Sequence, residues 1–236
     1  VSATLTFERI TAGYGTTRAL FGVDLEVPAG RAVALLGANG AGKTTLLKVG
    51  AGILPPFSGE VLIDGRPVTR QTPHARAREG VCLIPEGHGI FRQLSVRENL
   101  AMFVGARSSK DAIERAASFF PVLGERLGQD AATLSGGQQQ MLAVCRALCT
   151  DAQIILADEL SLGLAPVIID EIFVAIEALL AEGRSLLLVE QYAERALAIA
   201  DVVYILSKGA VVFDGTPDQC IAEDVFARYV GSAAVA

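Results

Sequence analysis

Three short clusters hold most of the chemistry available to this sequence. The first, Gly37-Ala38-Asn39-Gly40-Ala41-Gly42-Lys43-Thr44-Thr45, fits the pattern G-x-x-x-x-G-K-[ST]. It lies between an apolar strand-like run, Arg31–Leu36, and a helix-like run, Leu46–Ala51, which is the context a phosphate-binding loop requires. Glycines let successive backbone N–H groups point at phosphate oxygens, and a helix starting near Gly42 adds the positive end of its dipole. In that arrangement Lys43 reaches the β and γ phosphates and Thr44 offers its hydroxyl to Mg²⁺. A glycine-rich turn with a stray lysine is the plain alternative, and it would not need the strand before and the helix after.

The second cluster is acidic. Ile154-Ile155-Leu156-Ala157-Asp158 resembles a Walker B strand, whose final aspartate holds magnesium through its water shell, and Glu159 follows directly. A carboxylate one residue beyond that aspartate is placed to polarise an attacking water. Alone, an acidic pair ending a strand reads more readily as a solvated helix cap; behind a phosphate loop the balance reverses.

The third cluster, Leu134-Ser135-Gly136-Gly137-Gln138, falls between the first two and resembles the signature of ATP-binding cassette (ABC) proteins. Ser135 brings a hydroxyl, Gly136 and Gly137 expose N–H groups, and a helix beginning near Gln138 aims its N-terminus at an anion. The resemblance extends along essentially the whole chain. It implies an α/β fold of the P-loop NTPase cassette type, one domain over 1–236, with a mainly parallel core sheet, an N-terminal antiparallel β subdomain and a helical subdomain inserted at approximately 87–150. It implies ATP and Mg²⁺ as ligands, with Thr44, Asp158 and Glu86 at the metal and the signature of one subunit covering the nucleotide held by another. Tyr14 matches the aromatic that stacks on adenine, although such a residue alone is more often core or surface packing. Gly209–Asp214 with Gly215-Thr216-Pro217 matches the strand and turn after the last core strand.

Several positions depart from the commonest cassette pattern. Glu86 stands where a glutamine usually links magnesium and water to the membrane partner, Gln191 where a histidine usually meets the γ-phosphate, Ala165 where an aspartate is expected and Leu160 where a proline is. Pro85-Glu86-Gly87, Ser161–Pro166 and Val189-Glu190-Gln191 together resemble the second ATPase subunit of branched-chain amino-acid importers, from which Leu160 and His88 differ. The resemblance therefore implies catalytic roles for Glu159 and Gln191 and a peripheral place on the cytoplasmic face of the membrane. Its implied partners are transmembrane permease subunits, a substrate-binding protein reached through them, and a second ATPase subunit or a second copy. Urea, amides or another small solute are alternative cargoes. A low-turnover nucleotide-binding partner is a further alternative, favoured by Gln191 and Ala165 and disfavoured by Glu159. Cassette ATPases of DNA repair or translation usually carry coiled-coil insertions or two cassettes, and neither is present here.

These clusters need a scaffold. The alternation of Thr4–Arg9 and the run Val23–Val27 before Pro28-Ala29-Gly30 predict an opening pair of strands, and Glu60–Asp64 and Val81–Ile84 two more, separated by the polar stretch Gly65–Gly80. A helical region follows over Ser95–Phe120, then a helix over Gln138–Leu148. Strands at Gln153–Ala157, Ser185–Glu190 and Val202–Leu206 alternate with helices at Pro166–Ala181 and Ala193–Ala200. Strands and helices in alternation predict a parallel sheet with helices on its faces.

Composition narrows the class further. At 236 residues, 51% of them hydrophobic, there is room for one full core. Mean hydropathy is high at +0.44, yet the richest apolar runs are broken or closed by Glu177, Glu182, Arg184 and Glu190 and fall short of the roughly 20 residues of a spanning helix. Val1–Ala12 lacks the basic segment and apolar core of a secretory signal. Cys82, Cys145, Cys149 and Cys220 lack metal or redox spacing, so reduced thiols in a cytosolic protein are expected. A net charge of -6 without a basic run argues against nucleic-acid binding. The end, Gly231–Ala236, is expected to be loose.

Overall fold

The computed structural model describes residues 3–87, 89–104, 108–190 and 193–222. It begins with two long strands, β1 (Leu5–Tyr14) and β2 (Thr17–Val27), paired antiparallel about a turn closed by Tyr14 and Thr17. Strand alternation predicts an end near Arg9. Instead Arg9 adopts φ 48°, the register shifts between Phe7 and Ile10, and pairing resumes to Tyr14. The irregularity hides the longer strand from a period-two reading.

β3 (Ala32–Leu36) is buried along its length and leads into α1 (Lys43–Gly50). β4 (Ser58–Ile63) and β5 (Arg66–Pro67) complete a four-stranded antiparallel sheet of order β2-β1-β4-β5. The polar stretch that follows contains a helix the apolar pattern does not signal, α2 (Pro73–Arg78), started by Thr72 as N-cap and Pro73 at its first turn.

Next come β6 (Val81–Ile84), then α3 (Val96–Val104), α4 (Ser109–Phe119), α5 (Pro121–Gly124) and α6 (Gly136–Leu148). The single helical region expected over Ser95–Phe120 is thus two helices. β7 (Ile154–Asp158), α7 (Pro166–Ala181), β8 (Ser185–Val189), α8 (Ala193–Ile199), β9 (Val202–Ser207), β10 (Ala210–Gly215) and α9 (Pro217–Ala222) complete the order. The second sheet runs β10-β9-β3-β8-β7-β6, with every pairing parallel except β10 against β9.

β3 divides two cores. Ala32, Ala34 and Leu36 join a cluster with α3, α6 and α7, whereas Val33 and Leu35 face one built from β1, β2, β4 and α1. A strand covered on both faces has to be apolar at every position, as β3, β7 and β8 are over most of their length. All five parallel strands end at one edge, so the loops leaving β3, β6, β7, β8 and β9 gather there. Cys82, Cys145, Cys149 and Cys220 form no disulfide. Gly231–Ala236 lies outside the described residues.

Among the described residues, Arg76 is the largest fully buried side chain. Its guanidinium donates to Gly50 O at 2.9 Å, at the carbonyl end of α1, and to Val68 O at 2.7 and 3.1 Å. Burial lowers its pKa to about 10, with Glu79 opposing. Replacing Arg76 by Met keeps the volume but orphans both carbonyls. A loss of about 2–4 kcal/mol is expected in urea melts of the variant against wild type.

Candidate active site

The loop from β3 to α1 folds as its residue types dictate. Gly37 sits at φ 153°, and a Cβ there would lie 2.3 Å from Leu206 O, so only glycine lets the loop run this close to β9. Ala41 N donates to Ala38 O and Gly209 N to Ala41 O, fastening the loop to itself and to the turn after β9. Gly42 is the N-cap of α1, whose first turn, Lys43-Thr44-Thr45, carries no acidic residue. That first turn borders a cavity of about 470 Å³ lined by Asn39, Gly40, Gly42, Lys43, Thr44, Thr45, Glu86 and Glu159, with Ala19 and Leu162.

Lys43 is buried, and its ammonium donates to Gly37 O at 2.8 Å and Ala38 O at 3.3 Å. Its Nζ is also 3.8 Å from Glu159 Oε1. Burial lowers the lysine pKa, while Glu159, Asp158, Glu190 and Glu86 pull it back up. The ammonium is thus held by two carbonyls and one nearby carboxylate, partners that a phosphate oxygen can replace.

Asp158 ends β7 and is 2% exposed. Burial pushes its carboxyl up to about 6; a hydrogen bond from the Thr44 hydroxyl and the charge of Lys43 oppose this, and Glu159 and Glu86 add to it. Its Oδ1 has no hydrogen-bond partner. A buried carboxylate oxygen left open beside a threonine hydroxyl fits a hard divalent cation. Mg²⁺ takes few protein ligands and completes its shell with phosphate and water, so one carboxylate and one hydroxyl are a fitting set of protein donors.

Glu159 lies at φ 50°, a left-handed conformation that turns the chain out of the sheet and into the cavity. Its N–H donates to Val189 O at 2.9 Å. Leu160 is buried, so the position where a proline is common serves here as core. Ala165 is the N-cap of α7 and provides no side-chain cap. An aspartate there would accept a hydrogen bond that Ala165 cannot.

The signature forms the start of α6 at Gly136, two residues earlier than the pattern suggests, because Ser135 and Gln138 close a capping box. The Ser135 side chain accepts from Gln138 N at 3.3 Å, and Gln138 Oε1 accepts from Ser135 N at 3.1 Å. Leu134 is buried and Ser135 and Gly136 are exposed. Gly137 is needed for closeness, since a Cβ would fall 2.9 Å from the Ile168 side chain of α7. None of Leu134, Ser135, Gly136, Gly137 or Gln138 lines the cavity.

Tyr14, at the tip of the β1–β2 ribbon, is half exposed and lies outside the cavity lining. Lys48 of α1 places its Nζ 5.7 Å from the ring centroid and 3.5 Å from the phenol oxygen, tying that ring to the phosphate-loop helix. Gln191 and His88 lie outside the described residues. A second cavity of about 470 Å³, between β1, β2 and β10, is lined by Glu8, Asp24, Glu26 and Asp214. That acidity disfavours a polyphosphate.

One residue that pattern reading did not assign is Glu190. It is 1% exposed, accepts from Ser161 Oγ at 2.5 Å and Ser161 N at 3.1 Å, and also accepts from the Leu160 N–H. The available signal was a glutamate ending a five-residue apolar strand, where water is scarce.

A glycine-rich loop between a parallel strand and a helix, a buried aspartate beside that loop's threonine and a separate capped helix are the arrangement expected of a cassette-type P-loop ATPase. Comparison with known proteins agrees. The profile of the ABC transporter family matches residues 20–161. The chain is 42% identical over 215 residues to the high-affinity branched-chain amino acid transport ATP-binding protein BraG of Pseudomonas aeruginosa, covering 90% of this chain and 92% of that one. It is 37% identical over 224 residues to the probable branched-chain amino acid transport ATP-binding protein LivF of Archaeoglobus fulgidus, covering 93% and 95%. A crystal structure of a nucleotide-free ATP-binding cassette from an ABC transporter superposes with a TM-score of 0.80 at 26% identity, covering 94% of this chain and 95% of that one. The chain belongs to the ABC transporter family as one of its ATP-binding, ATP-hydrolysing subunits. Among the described residues no helix is long and apolar enough to cross a membrane.

Glu190 supplies a pH prediction. Burial lifts its carboxyl from an ordinary 4.5 to about 7, against the hydrogen bonds from Ser161. Between those values the folded state binds more proton than the unfolded one, so stability falls as pH rises through the window and levels off above it. Glu190→Gln removes this titration. The stability difference, variant minus wild type, should grow between pH 4.5 and 7, as read by urea melts across that range.

Proposed function

We propose that this chain is the ATPase subunit of an importer for branched-chain amino acids. It would sit on the cytoplasmic face of the membrane against permease subunits and pair with a second ATPase subunit or a second copy, while a substrate-binding protein engages the permease from the other side. The observation that carries the cargo is the near full-length similarity to BraG and LivF, whose names specify branched-chain amino-acid transport. Pro85-Glu86-Gly87 and Val189-Glu190-Gln191 support the same subgroup. Beyond Glu86, Phe91 and Met102 are exposed apolar side chains of the kind a permease contact would cover.

In this reading Gly37–Thr45 wraps the β and γ phosphates of ATP through backbone N–H groups and the Lys43 ammonium, and Tyr14 offers the face of its ring to adenine. Thr44, Asp158 and Glu86 would hold Mg²⁺, which would supply positive charge to offset that of the phosphates. Glu159 accepts the proton of the water that attacks the γ phosphorus, the bond from that phosphorus to the bridging β-phosphate oxygen breaks, and ADP leaves with that electron pair. Gln191 donates a hydrogen bond to the γ-phosphate; being neutral, it would hold developing charge less well than an imidazolium. Leu134–Gln138 serves the nucleotide of the neighbouring subunit, which accounts for its absence from this chain's own cavity.

Two substitutions test the chemistry. Lys43→Ala should weaken ATP binding by about 100-fold or more while leaving the fold intact, as measured by nucleotide titration and circular dichroism. Glu159→Gln should bind ATP normally and hydrolyse it about 100-fold more slowly, as measured by phosphate release from the assembled complex. Normal affinity in the first variant or normal turnover in the second would overturn the assigned role. For the cargo, the membrane partner and binding protein should be co-purified with this chain and the binding protein titrated with leucine, isoleucine and valine, then with urea and amides. Binding of the latter group alone would reassign the solute.

A further inference from the structure

The parallel ladder between β7 and β8 ends at the pair Asp158–Val189. Beyond it the β7 chain has to leave the sheet and deliver Glu159 into the cavity, and Glu159 does so at φ 50°, a left-handed conformation that is strained for a non-glycine residue. A strained residue persists only where its surroundings hold it. Here three consecutive N–H groups are all answered from the end of β8. Glu159 N donates to Val189 O at 2.9 Å. The Leu160 N–H donates to the Glu190 carboxylate, and Ser161 N donates to Glu190 Oε1 at 3.1 Å while Ser161 Oγ donates to Oε2 at 2.5 Å. The side chain of Glu190 thus replaces the backbone ladder across the turn where that ladder cannot continue.

We infer that Glu190 is a positioning residue for hydrolysis: its carboxylate clamps Leu160 and Ser161 and so fixes the backbone that aims Glu159 at the attacking water. The inference rests on the reading of Glu159 as the group that polarises that water. Glu190 is not itself the base, because it is buried, both its oxygens are occupied by donors, and it does not line the cavity. A carboxylate suits the task because its two oxygens can take three donors together. Glutamine can keep the contact by accepting both N–H groups on one oxygen and donating to a reoriented Ser161 hydroxyl, whereas alanine leaves two buried N–H groups unanswered.

The test measures ATP affinity and turnover of the full chain in its assembled complex. Glu190→Ala should lower kcat by about 10- to 100-fold, the scale expected for a misplacement near 1 Å. Its ATP Kd should stay within about three-fold, because the phosphate loop is untouched. Glu190→Gln should keep kcat within about three-fold of wild type, and Ser161→Ala should fall between the two. In a Glu159→Gln background, Glu190→Ala should cost little more, since the group it positions is already gone. The inference is overturned by an equal loss in both backgrounds, by Glu190→Gln as damaging as Ala, or by Ser161→Ala with unchanged turnover. Ser161→Ala also decides the matter if Glu190→Ala does not fold. Normal turnover in Glu159→Gln alone would instead sink the reading of Glu159, leaving the two failures distinguishable.

Discussion

Lys43 carries a positive charge to a place with little water, and much of the surrounding architecture follows from that. An ammonium so buried needs oxygen around it: the carbonyls of Gly37 and Ala38 supply some, and Glu159 lies 3.8 Å away. Asp158, Glu190 and Glu86 add negative potential at longer range. Burial disfavours the charged form of the carboxylates in turn and pushes the pKa values of Asp158 and Glu190 both upward. The buried ammonium can take a phosphate oxygen, and the excess of carboxylate charge beside it, with Asp158 Oδ1 unanswered, favours a divalent cation that arrives with the phosphate.

This concentration of charge is possible because five parallel strands end at a common edge. Each strand is apolar within the sheet and becomes polar on leaving it. Leu36 gives way to Gly37, Ile84 to Pro85-Glu86, Ala157 to Asp158-Glu159 and Val189 to Glu190. The apolar stretches bury the sheet between two cores, and the polar ends sit where helices do not cover them. The backbone conformations at that edge are correspondingly unusual, with Gly37 at φ 153° and Glu159 at φ 50°. Neither would persist in an isolated loop. The turn after β9 fastens the first, and the end of β8 holds the second.

The α6 helix shows a different economy. Its first turn is satisfied internally by Ser135 and Gln138, and the close approach of Ile168 dictates Gly137, whereas a Cβ at Gly136 would meet nothing within 4 Å. An exposed helix start whose outermost glycine borders open space leaves room for another molecule's anion. In the proposed assembly that anion is the neighbour's nucleotide, so each subunit would contribute to two sites.

Local chemistry made the fold class and the nucleotide chemistry legible in the sequence. A phosphate loop is contiguous, its residue types answer to backbone and charge requirements within nine positions, and strands buried on both faces have to read as unbroken apolar runs. Long-range contacts left no such mark. The continuation of β1 past Arg9 rests on pairing with β2 across a register shift, the helix after Gly65 on a cap set in a polar stretch, and the burial of Arg76 on carbonyls 8 and 26 positions away. Glu190 is the sharpest case. In the sequence it is one acidic residue after an apolar strand, indistinguishable from a solvated strand end. Only the pairing of β7 with β8 brings it beneath Leu160 and Ser161, twenty-nine positions from Ser161 in sequence, where burial leaves its carboxylate with those N–H groups as partners. Residue type decided which groups could do chemistry, and tertiary structure decided which of them meet, because hydrogen bonds and desolvation depend on distance in space and not along the chain.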